Sequence, residues 1–142
     1  MTVIVDAGAL FAQADRDDPA HEAVSDFLRA ERDPLVTSQI AVAAADYLVL
    51  TRLGVDAELA FLDDVAEGTF AAEGLTADEL SVARDVARRY RDLEVGLADA
   101  SLVVLARRHR TRRLFTVDER CFRAMAPLQR GAFRLLPADT DG

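Results

Sequence analysis

Apolar and polar positions along the chain switch between a two-residue and a helical period, and the switches lay out a series of strands and helices. Thr2-Val3-Ile4-Val5 is a β-favouring run that stops at Asp6 and the small residues Ala7, Gly8 and Ala9, which predicts a short buried strand. Ala9 to Ala12 continue as a short helix into the polar break Asp15-Arg16-Asp17-Asp18-Pro19. Pro19 suits the first turn of a second helix over 20–29, with Ala23, Val24, Phe27 and Leu28 on one face. Asp33-Pro34 marks a turn, Leu35-Val36-Thr37 a second strand, and Ser38 a cap for the next helix. That helix, over 40–52, is apolar almost all round, a pattern that predicts burial on most of its sides.

Gly54 ends it, and a helix over 56–67 is expected to turn Leu59, Phe61, Leu62 and Val65 inward. A third strand of modest quality falls within 68–73. Thr76 and Glu79, three apart, form a capping box opening a helix that runs to about Tyr90. A helix over 98–109 follows, then a strand over 113–117 ending at Asp118, an edge strand over 133–136 stopped by Pro137, and a frayed tail over 138–142. Strands alternating with helices imply an α/β domain, with a short, mainly parallel sheet flanked by α-helices. At 142 residues one domain is expected, and no repeat or linker divides it.

Composition narrows the chemistry. No apolar window has the length of a membrane span and the N-terminus lacks a signal-peptide pattern, so no membrane partner and a cytoplasmic location are expected. The single cysteine, Cys121, has no partner for a disulfide or a cysteine metal site. All 17 basic residues are arginine, which excludes lysine Schiff-base chemistry, a P-loop lysine and the lysine of a phosphoacceptor receiver domain. A net charge of −8 argues against indiscriminate grip on nucleic-acid backbones, but leaves local basic patches open.

Asp6 and Asp118 stand just after predicted strands and Asp99 at the start of a predicted helix, where an open parallel sheet collects functional groups. Each also has an ordinary use as a helix cap or turn residue. If the three converge, their mutual repulsion is relieved by a divalent cation. Mg²⁺ or Mn²⁺ suits hard oxygen ligands, and lowers the pKa of its water while clamping a phosphodiester for in-line attack. Thr116, two residues before Asp118, is a candidate to orient an acid or a water. A small phosphohydrolase of a different α/β class is a rival reading, but Gly8 stands where such enzymes often place a second acid.

Val3-Ile4-Val5-Asp6-Ala7-Gly8-Ala9-Leu10, Leu97-Ala98-Asp99-Ala100-Ser101 and Leu114-Phe115-Thr116-Val117-Asp118-Glu119-Arg120-Cys121-Phe122 occur in that order, with Asp46-Tyr47-Leu48 and Arg52-Leu53-Gly54 after the first block. Together they resemble the PIN-domain ribonucleases, and within them the VapC toxins of bacterial toxin–antitoxin pairs. The resemblance spans nearly the whole chain and implies a single PIN-like domain over 1–142. It further implies a Mg²⁺- or Mn²⁺-dependent endoribonuclease acting on structured RNA, often tRNA or ribosomal RNA. Such proteins usually work as homodimers and are silenced by a cognate VapB-type antitoxin. Carried over by position, Asp6 and Asp99 are the principal metal ligands and Asp118 the later acid. The family's glutamate in the third helix falls at Ala44, so a ligand or water-positioning carboxylate is lost and turnover is expected to be impaired. A catalytically dead domain that binds antitoxin or RNA is the alternative. Asp46 is no substitute, because two positions along a helix lie about 200° apart.

Arg107-Arg108-His109-Arg110-Thr111-Arg112-Arg113 concentrates five arginines in seven residues, with Arg120 and Arg123 close behind. Guanidinium forks suit phosphate oxygens, so part of this cluster, with Arg112 and Arg113 as its representatives, is a candidate RNA contact. Cations at a helix end also simply complement the helix dipole. The apolar faces of the early helices are candidates for an antitoxin groove or a dimer seam.

Overall fold

Val3, Ile4 and Val5 are all buried, and they form the strand at the centre of the sheet. In the computed structural model, which describes residues 1–139, this strand is β1 (Val3–Val5). It pairs in parallel with β2 (Leu35–Ser38) on one side, Ile4 opposite Val36. On the other side it pairs in parallel with β4 (Arg113–Phe115), Ile4 opposite Leu114 and Val5 opposite Phe115. β3 (Ala71–Glu73) extends the sheet beyond β2, and β5 (Arg134–Leu136) beyond β4. Among the described residues the sheet is five-stranded and wholly parallel, in the order β3-β2-β1-β4-β5. The chain winds outward from β1 to β3 and then returns to the far side of β1. The reversal opens a crevice at the carboxyl ends of β1 and β4.

Helices cover both faces. α1 (Ala7–Ala14), α2 (His21–Ala30), α3 (Gln39–Leu53) and α4 (Val55–Ala66) precede β3. α5 (Ala77–Arg89), a 3₁₀ turn at Arg91–Leu93 and α6 (Leu97–Arg108) lead to β4, and α7 (Glu119–Ala124) lies between β4 and β5. Side chains of a strand alternate between faces, so adjacent residues feed different cores. Ile4, Leu114 and Leu135 pack with Leu102, Leu105 and Phe122, while Val3, Val5, Phe115 and Leu136 pack with Leu10, Phe11, Val24 and Val49. Thr76 and Glu79 make both halves of the capping box that opens α5. Among the described residues no helix is long and apolar enough to cross a membrane.

The sequence expectation departs from the structure in three places. α3 is not buried on most sides: Ala41, Ala45 and Val49 form its buried stripe, while Tyr47 is 67% and Leu50 40% exposed. On α4, Phe61 is buried and Val65 half-buried, but Leu59 and Leu62 face outward. Leu59 and Phe61 are about 200° apart on a helix, so one packing face cannot take both. α7 was not anticipated, since its six residues are too few to display a period. The strand expected over 113–117 closes at Phe115. Of the tail, residues 140–142 lie outside the described residues.

Candidate functional site

Asp6 leaves β1 as the N-cap of α1. Its Oδ1 accepts the Ala9 backbone N–H at 2.7 Å, and its Oδ2 accepts the Thr116 hydroxyl. Thr116 in turn receives the Asp118 backbone N–H at 3.1 Å, which ties the end of β4 to the end of β1. Asp118 caps α7 through the Arg120 N–H at 3.2 Å. Asp99 lies in the first turn of α6. The acids thus sit at three helix N-termini, where backbone N–H groups favour negative charge. A buried Ser38–Ser101 hydroxyl contact of 2.7 Å joins the N-cap of α3 to α6, two residues after Asp99.

The three aspartates sense one another. Burial pushes the Asp6 carboxyl up to about 7, against its two hydrogen bonds, and the Asp99 and Asp118 charges add to the rise. Burial, then Asp118, raises Asp99. Among the described residues no arginine or histidine is paired with Asp6 or Asp99. Asp118 has Arg120 at 3.6 Å, with both side chains exposed. A shallow hollow of about 450 Å³ opens over Asp99 and Asp118, lined also by Asp92, Leu93, Arg120 and Cys121. The Cys121 thiol is held above its ordinary range by burial and then by the two carboxylates.

Oxygen donors without a counter-cation fit a hard divalent ion in kind. Their number is small: among the described residues no group of three His, Cys, Asp or Glu side chains is arranged to hold an ion. The arrangement therefore fits an ion held by few carboxylates and mostly by water, as Mg²⁺ tolerates. Ala44 is half-buried on α3 and supplies no oxygen. Asp46 turns to α4, where it meets Glu58, and is no replacement.

Arg112 and Arg113 are not brought to the acids. Arg113 opens β4 at the end of the sheet opposite Asp6, with its guanidinium engaged by Glu31 at 2.9 Å, Asp33 at 2.8 Å and the Met1 carbonyl at 3.0 Å. Arg112 lies against Gly131 (φ +103°), where an added Cβ would come within 2.0 Å of its Nη1. Arg108 clasps Glu73 and Glu79, and Arg123 holds Glu119 and Asp139. Arg120 is the arginine at the hollow itself. Sequence reasoning passed over Asp92, Cys121 and the Ser38–Ser101 link as neighbours of the acids, because only the return of the chain to β1 assembles them.

The PIN domain family matches residues 3–127. Ribonuclease VapC26 of Mycobacterium tuberculosis is 44% identical over 135 residues, covering 95% of this chain and all of that protein. Among solved structures, Mycobacterium tuberculosis VapC20, described as a sarcin–ricin loop cleaving toxin, superposes with a TM-score of 0.78 at 19% identity, covering 83% of this chain and 91% of that one. VapBC2 from Rickettsia felis, bound to a DNA fragment from its promoter, gives 0.67 at 12% identity over 95% of this chain and 98% of that one. A toxin–antitoxin complex from Klebsiella pneumoniae gives 0.63 at 18% identity, covering 87% and 92%.

Proposed function

The chain belongs to the PIN-domain family, and from that premise we propose that it is the toxin of a type II toxin–antitoxin pair, an endoribonuclease that hydrolyses RNA phosphodiesters. Structured RNA such as tRNA or ribosomal RNA is its substrate class, Mg²⁺ or Mn²⁺ its cofactor, a VapB-type antitoxin its inhibitor, and a homodimer its working form. The observation that carries the reading is the gathering of Asp6, Asp99 and Asp118 at the β1–β4 crevice with no cation paired to the inner two. Support for the activity comes from the 44% identity to a protein named a ribonuclease, and support for the antitoxin from neighbours solved as toxin–antitoxin complexes.

Asp6 and Asp99 would hold the ion, which when bound lowers the pKa of a water and neutralises charge on the phosphate. Thr116 keeps Asp6 in a single orientation through its hydroxyl. Asp118, exposed at the rim, is placed to accept a proton from the attacking water, and Arg120 to bind a phosphate oxygen. Arg112 and Arg113, the contacts expected from the sequence, lie at the far end of α6 and β4. Nine residues of helix, about 14 Å, separate Asp99 from Arg108.

Ala44 limits the reaction. It sits on the helix that Ser38 ties to α6, and its methyl group does nothing for a cation or a water. Cleavage of a structured RNA by the wild-type chain, by Ala44→Glu and by Ala44→Glu with Asp99→Asn, each with Mg²⁺, Mn²⁺ or a chelator, tests the reading. Ala44→Glu is expected to raise metal-dependent cleavage at least about tenfold, the order of one positioned acid or base, and Asp99→Asn to abolish the gain. An Ala44→Glu chain that still cuts nothing leaves the binding-module alternative in its place.

A further inference from the structure

A surface helix usually has one apolar face, but α4 has two. Ala57, Phe61 and Val65 pack into the core, while Val55, Leu59 and Leu62 recur at four- and three-residue spacing on the outside, 56%, 54% and 38% exposed. Tyr47 and Leu50 continue this apolar surface on the neighbouring α3. The seam between the two helices is acidic. Asp46 of α3 meets Glu58 of α4, and Asp46 Oδ1 is buried with no hydrogen-bond partner. Among the described residues no arginine is paired with either. The contact with Asp46, then burial, keeps the Glu58 carboxyl above its ordinary range.

The hairpin's charge selects what covers this surface. From Gln39 to Ala66 the acids are Asp46, Asp56, Glu58, Asp63 and Asp64, and the sole base is Arg52, whose guanidinium lies over the Phe11 ring at 5.6 Å. A two-fold pairing with a second copy would set this acidic hairpin against itself. A basic partner relieves both the surplus charge and the orphaned Asp46 oxygen. We propose that the α3–α4 surface docks an amphipathic helix of a partner protein, its apolar residues seated on Tyr47, Leu50, Leu59 and Leu62 and an arginine or lysine reaching Asp46 and Glu58. This is recognition of a helix in a groove, with anchors spaced by one helical turn. It is independent of the nuclease reading, because Asp46 points about 200° away from Ala44 around α3, and it leaves any homodimer contact to another surface.

The test uses the full-length chain and three fluorescent, lactam-bridged helical peptides about five turns long. They share one leucine face and carry arginine, glutamine or glutamate at every polar position. Anisotropy is expected to show the arginine peptide binding about tenfold more tightly than the glutamine peptide, with the glutamate peptide not bound. Leu59→Asp, and independently Leu50→Gln, are expected to abolish binding with an unchanged thermal melt, since both side chains are substantially exposed. Asp46→Asn is expected to narrow the preference for arginine over glutamine to about twofold. Equal affinity of the wild type for the arginine and glutamine peptides overturns the proposal, as does binding retained by both leucine variants. Sedimentation velocity supplies the other arm: a wild-type dimer that Leu59→Asp converts to monomer would mean that a second copy covers the surface, and would likewise overturn it.

Discussion

At position 6 one carboxyl group caps a helix with one oxygen and takes a threonine hydroxyl on the other, while two more aspartates press on it electrostatically. Burial dominates and holds the carboxyl near 7, far above the 3.8 of an exposed aspartate. The folded chain therefore keeps this proton between about pH 4 and 7, whereas the unfolded chain gives it up. Stability without divalent ions should fall as pH rises through that window, at up to about 1.4 kcal/mol per pH unit, and level off above it. Thermal melts of wild type and Asp6→Asn from pH 5 to 8 check this, since the asparagine variant should lose that slope. Thr116→Val removes the hydroxyl that favours the charged form. The pH at which cleavage by the Ala44→Glu chain reaches half its maximum should then move upward.

Helices and strands position these groups, and some basic residues serve the framework. Arg113 joins β4 to Glu31 and Asp33 at the amino ends of the strands, and Arg108 bridges α6 to Glu73 and Glu79, holding Glu79 down to about 2. Arg113→Gln is expected to destabilise the fold by about 2 kcal/mol, less than a fully buried pair because the guanidinium is partly exposed. RNA affinity should stay unchanged. Arg120→Gln should do the reverse, weakening RNA binding and lowering its salt slope by about one with little change in the melt. Filter binding over a salt series, beside melting curves, separates the two. The capping box of α5, the cap of α3 at Ser38 and the order of strands and helices were legible because each is written within a few neighbouring residues. The outward turn of Leu59 and Leu62 was not: a helix with apolar residues all round does not say which side its neighbours will cover.

For the whole molecule the winding order matters most, because reversal of the chain between β1 and β4 brings residues 6, 99 and 118 to one crevice. A chain of net charge −8 that concentrates carboxylates there should be stabilised by a cation binding the folded state alone. Millimolar Mg²⁺ should raise the melting temperature of the wild type by a few degrees, on the order of 1 kcal/mol for a domain of this size, and that of Asp99→Asn by less. Equal shifts in the two would count against Asp99 as a ligand. Short-range pattern by itself determined the α/β class, the five strands, six of the helices and the three aspartates worth watching, because period, caps and turn residues act over one or two turns of chain. Tertiary structure alone decided that Thr116 serves Asp6, that Arg112 and Arg113 lie far from the acids, and that α3 and α4 keep an apolar surface toward solvent. Those outcomes depend on which distant segments arrive beside a side chain, and no local window carries that information.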